Sequence, residues 1–238
     1  MKRIKITALA ALAVFAAFAA LAGSASATTI LKVTDPLGEV APGTTITATS
    51  TNLVTTSTAG KLECENNVLP STLSNNNSAK IKGLSSEEKS FGNFLGLEGA
   101  CKTSLGIPAV IYTKQFPWTE EYKASGTKGS VTVKGTKKVA FLTEFLYPEL
   151  GKENQCMLEA SKIASTFPAG TAGHPAALVF TTTNQTFKLN KKATEYKVVN
   201  PETKKTEIEK RTAAICPETG SLSGEWTVND ANGAVSTE

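Results

Sequence analysis

Histidine is almost missing from this sequence, and most acid–base and metal chemistry goes with it. A single imidazole, His174, stands among 238 residues. It precedes Pro175 in a loop of small residues, and no serine lies in a G-x-S-x-G elbow that it could serve. Cysteine is scarce as well. There are four, none in a C-x-x-C pair, which sets aside the usual zinc spacings. No glycine-rich loop of the phosphate- or dinucleotide-cradling kind occurs. No catalytic residue, metal ligand or cofactor is therefore assigned from the sequence. Capped amphipathic helices are missing too, which removes the all-α and α/β classes.

Long apolar runs are confined to the beginning. Lys2, Arg3 and Lys5 form a positive segment, Ile6 to Ala22 is uncharged and alanine-rich, and Gly23-Ser24-Ala25-Ser26-Ala27 supplies small residues in an A-x-A pattern. This is the layout of an export signal, with cleavage expected after Ala27. Residues 1–27 are thus read as a signal peptide and 28–238 as one secreted domain, with a sub-boundary conceivable near 123–130. The mature chain is expected to be extracellular, soluble or held on the cell wall, without an integral membrane span.

Charge of one sign is lacking once the leader is set apart. Three of the 25 basic residues lie in it and no acid does, so 22 bases face 21 acids and the mature chain carries +1. Such a balance predicts no nucleic-acid partner, which would need a clustered basic face. Lysines do gather between Lys188 and Arg211, but Glu195, Glu202, Glu207 and Glu209 interleave with them. A solvated face is the simpler reading of that mixture, with an acidic wall polymer as the partner to seek there.

The four cysteines, Cys64, Cys101, Cys156 and Cys216, all fall in the exported part, and an even number in an oxidising compartment reads as two disulfides. Three connectivities are open. Pairing Cys64 with Cys101 and Cys156 with Cys216 is favoured because it staples each half separately.

Short β-branched runs fill the rest. Thr44 to Ser50 follows the Pro42-Gly43 turn, and Lys61 to Glu65 alternates Leu62 and Cys64 against Lys61, Glu63 and Glu65. Val68 to Leu73 is broken by Pro70, which predicts an edge or bulge. Ser130 to Lys134 and Val139 to Phe145 flank Gly135-Thr136 and read as a hairpin. Cys156 to Ala164 tolerates a helix, but its alternation favours a strand. A charged hairpin is expected across Asn200-Pro201, and Cys216 to Val228 closes the chain as a strand carrying Trp226. Turn signals every 8–12 residues or so predict an all-β fold, an antiparallel sandwich or jelly-roll-like domain stapled by two disulfides.

The closing segment also carries a resemblance. Cys216-Pro217, a few small polar residues, then Ser223-Gly224-Glu225-Trp226-Thr227-Val228 resembles the ending of a group of uncharacterised secreted actinobacterial proteins. There the ending often reads Cys-Pro, then Gly-Thr-Tyr; here Trp226 replaces the tyrosine. Thr44 to Asn52, the Gly60-to-Cys64 strand, Pro117-Trp118 and the Cys156 strand are similar as well. The resemblance implies an exported, disulfide-linked, all-β protein and brings no activity with it.

The stretch best suited to a site is Phe116 to Tyr122. Trp118 and Tyr122 beside Glu120 and Glu121 could stack on a sugar and bond its hydroxyls; the plainer reading is an aromatic core plug. A two-carboxylate hydrolase would draw on Glu63, Glu65, Glu120, Glu121 and Glu144, two of them roughly 5–9 Å apart across a cleft. The expectation is a non-catalytic exported protein that binds a cell-wall polymer or envelope protein, or acts structurally. A polysaccharide hydrolase with a Glu pair near Trp118, and a membrane-active β protein, are the alternatives.

Overall fold

A computed structural model of the chain describes residues 30–58, 60–86, 89–91, 93–94, 97–98, 100–106, 108–147, 152–192, 195–199, 206–209 and 216–238. The expected leader lies outside them.

The described elements are strands, and their pairings form a meander of eight long arms. Most arms consist of two strands in line, separated by a short break. The first holds Thr45–Ser50 and Leu53–Ser57, the second Gly60–Cys64 and Asn67–Leu73. The third holds Ile81–Ser85, Ser90–Phe91 and Ala100–Thr103; the fourth, Pro108–Lys114 and Trp118–Ser125. Lys128–Gly135 with Val139–Tyr147, and Lys152–Ala160 with Ile163–Pro168, are the fifth and sixth. Val179–Leu189 runs on to Glu195–Val199 as the seventh, and Thr206–Glu209 leads to Thr219–Asp230 as the eighth. Every arm pairs antiparallel with its neighbours in sequence. The last arm returns to the first, Thr227 opposite Thr49 and Ser223 opposite Val54, so the ladder closes into a ring. The expected all-β, antiparallel, doubly stapled domain is therefore present. It is sandwich-like in packing sheet against sheet over one core, and the ring leaves its central ladder without a free edge.

Alternation places the core. Ile46 and Ala48, Trp118 and Tyr122, Val131 and Val133, and Ile163 and Phe167 point inward from the first, fourth, fifth and sixth arms. Aromatic rings fill the centre: Phe141 lies edge-on to Trp118 and Phe187, and Phe91 edge-on to Trp226. Tyr122, Phe167, Phe180 and Phe187 complete a wide apolar interior. One end of the ring carries a small sheet of Val33–Asp35, Gly38–Glu39, Ser236–Thr237 and Ala176–Ala177. Leu31, Val33, Val40, Leu178 and Val235 are buried there. Asn76, which matches a glycosylation pattern, is spent on this cap: its amide donates to the carbonyls of Val33 and Val40, and its oxygen accepts from the Val33 amide.

Both disulfides have the favoured connectivity. Cys64–Cys101 joins neighbouring strands of the second and third arms, and Cys156–Cys216 ties the sixth arm to the segment before Thr219. The closing strand packs Trp226 against Phe180, and the Cys156 segment is a strand. Pro70 lies opposite Thr47, while the ladder to Ile81–Ser85 runs only through Thr72 and Leu73. The proline thus sits where pairing on one side has ended, and Ser85 Oγ lies 2.8 Å from its carbonyl oxygen.

One expectation fails. Lys128–Gly135 and Val139–Tyr147 do not fold back on each other but continue in one direction through a bend at 136–138. Gly135 lacks the positive φ that tight hairpin turns require. The reversal falls earlier, between Ser125 and Lys128, where Gly126 has φ +60°. The 123–130 stretch is the tip of that hairpin. The expected charged hairpin near 200 pairs Tyr196 with Glu209 and Val199 with Thr206.

Candidate functional site

Strand Trp118–Ser125 distributes the expected site residues to two sides, because consecutive side chains of a strand point to opposite faces. Trp118, Glu120 and Tyr122 face the core; Glu121 faces outward. Trp118 is only 1% exposed, stacked on Phe116 at 4.7 Å, and its indole donates to the Lys114 carbonyl. Neither it nor Tyr122 presents a ring to solvent.

Glu120 is an acid inside the ring, 5% exposed. The Tyr122 phenol donates to its Oε2 at 2.5 Å and the Ser85 hydroxyl to its Oε1 at 3.0 Å. Burial pushes the carboxyl above its usual range, and these two hydroxyls offset part of that rise. Ser71 lines the neighbouring interior cavity, and its hydroxyl has no hydrogen-bond partner among the described residues. Burial, then the charge of Glu120, raises the Tyr122 phenol well above its ordinary value. Gly83 makes room for this group: a Cβ there would lie 2.7 Å from Ser71 Oγ and 3.2 Å from Glu120 Oε2. The neighbouring cavity, about 40 Å³ and mostly apolar, is large enough for water but not for a sugar.

On the outer side, Glu121 receives Lys80 at 2.6 Å and Lys123 at 2.8 Å, and these two bonds lower its pKa to about 2. Around it lies an open depression of about 470 Å³, floored by the third, fourth and fifth arms. Lys82 stands opposite Glu121 in the ladder, and Leu84 and Lys134 flank Thr119. Lys123 and Lys162 complete the rim.

The remaining acids of the expected pool are dispersed. Glu63 pairs with Lys61, Glu65 is exposed, and Glu144 accepts from Gln155. His174 is exposed in a turn with Thr171. Side chains from 193 to 215 lie outside the described residues, so the lysine-rich hairpin is defined only by its pairing. No group of three His, Cys, Asp or Glu side chains among the described residues is placed to hold a metal.

Sequence reasoning missed Glu159. It is 7% exposed although it points away from the core. Gln115, Lys138 and Asn190 each reach its carboxylate at 2.7 Å, from the breaks in the fourth, fifth and seventh arms. Burial alone would raise its pKa; the three donors outweigh it and the net direction is down. The alternation of Leu158 with Ala160 marks Glu159 as outward, but only the folded ring brings three donors over it.

Outward positions of the described strands carry Lys61, Glu63, Lys82, Thr119, Lys123 and Lys134 around an apolar interior. That polarity is the reverse of a lipid-embedded barrel. Comparisons with protein-family models, with curated proteins and with solved structures find no match to this chain.

Proposed function

We propose that this protein is exported and non-catalytic, with a binding role in the cell envelope or surrounding medium. The observation that carries the reading is the division of Glu120 from Glu121. One carboxyl is sealed in the core and hydrogen-bonded; the other is committed to two lysines on the opposite face. Among the described residues neither stands across a cleft from a second acid, as two-carboxylate hydrolysis requires. Trp118 and Tyr122, the rings expected to stack on sugar, build the core instead. Two disulfides are compatible with an extracellular location.

The test is direct. Secreted protein should begin at Thr28 on N-terminal sequencing, and purified protein should release no reducing ends or peptides from soluble polysaccharide or cell-wall preparations. Turnover that disappears in Glu120→Gln or Glu121→Gln would overturn the non-catalytic reading.

A further inference from the structure

Resting on the reading as a binding protein, we infer that the outer depression around Glu121 takes a linear, base-free polyanion whose repeat carries a phosphodiester, such as a polyol phosphate chain. Three observations point there. The depression is concave and about 470 Å³, enough for several repeat units, whereas the interior cavity is about 40 Å³. Its rim bears Lys82, Lys123, Lys134 and Lys162, while the sole surface acid among its lining residues, Glu121, is already matched by Lys80 and Lys123. Lys82, Lys134 and Lys162 are exposed and make no ion pair among the described residues, so their ammonium groups are available to an incoming anion. The near-neutral balance of the mature chain conceals this concentration of positive charge.

The described cations of the depression are all lysines. Beyond the leader the sequence holds one arginine, Arg211. Lysines act as point charges on flexible stems, a mode in which they hold phosphates of variable orientation without the bidentate fork that arginine offers to carboxylate and phosphate alike. The absence of bases from the ligand follows from the lining: Lys, Thr, Ser, Glu, Gly and Leu84 offer no ring on which a base could stack. Leu84, 39% exposed, offers an apolar spot for a polyol backbone.

The experiment uses the mature protein and fluorescent poly(glycerol phosphate), with polygalacturonate, dextran and single-stranded oligonucleotide as comparison probes. Lys82→Gln/Lys134→Gln/Lys162→Gln should weaken poly(glycerol phosphate) binding at least tenfold. A control of equal charge, Lys102→Gln/Lys128→Gln/Lys137→Gln, should weaken it less than twofold. The slope of log affinity against log salt should shrink by roughly 2 in the first triple variant, the counterion release expected for three lysines on a flexible polyphosphate. No binding, equal loss in both variants, or equal or tighter binding of polygalacturonate or oligonucleotide would each overturn the inference. Shortening of the polymer on incubation would instead sink the non-catalytic reading, whatever the variants do to affinity.

Discussion

The Tyr122 phenol donates a 2.5 Å hydrogen bond to Glu120, two residues earlier on the same inward face of one strand. That spacing is the minimum at which two side chains of a strand share a side, and it commits a carboxyl and a phenol to a common burial. An acid enclosed in this way makes the stability of the ring depend on pH.

The sign follows from the raised pKa of Glu120. Its stabilising contribution is fully present below the unfolded value of 4.5 and is lost as pH rises through the folded value. Urea midpoints should therefore fall as pH is raised above 4.5. Glu120→Gln should flatten that decline, because an amide keeps the shape without titrating. Tyr122→Phe should cost about 1–3 kcal/mol, the penalty of leaving a buried acceptor short of a partner.

Glu121 governs the opposite side of the pH scale. Its pKa is lowered from 4.5 to about 2 by Lys123 and Lys80, so its contribution is present above 4.5 and lost as pH falls towards 2. Glu121→Gln should remove part of the acid destabilisation and leave neutral-pH stability within about 1 kcal/mol, since the site is open to water. Denaturant melts at pH 2.5 and 7 give both readings.

Gly83 and Ser71 should be coupled. Gly83→Ala places a methyl 2.7 Å from Ser71 Oγ and 3.2 Å from Glu120 Oε2, and overpacking of that kind costs about 1–3 kcal/mol. Ser71→Ala removes a buried hydroxyl that lacks a partner, and should be close to neutral. In the double variant the clash with Ser71 is gone, so the cycle should show a favourable interaction of at least about 0.5 kcal/mol by chemical denaturation.

Each disulfide closes a long loop, 37 and 60 residues apart in sequence. Replacing either pair with serines should lower unfolding free energy by about 4 kcal/mol on the loop-entropy estimate. Peptide mapping under non-reducing conditions should recover only Cys64–Cys101 and Cys156–Cys216 links.

Much of this architecture was legible in the residues. Strand periodicity and the doubly stapled class follow from local composition, because a half-buried strand must alternate and an even number of cysteines without metal spacing reads as two disulfides. The Gly135-Thr136 reversal was misread because its residue types suit a hairpin; which strands pair was settled by neighbours distant in sequence. Glu159 escaped notice for the same reason, as Gln115, Lys138 and Asn190 approach it only across four arms.

For Trp118 to Tyr122, the chain by itself determined that these residues would alternate about a strand, which already divides Glu120 from Glu121. Which side would be sealed, and which would join Lys82, Lys134 and Lys162 in one concave surface, was decided by tertiary structure. Closing the ring from the last arm to the first creates an inside, and charge on the outer face is gathered from strands far apart in sequence.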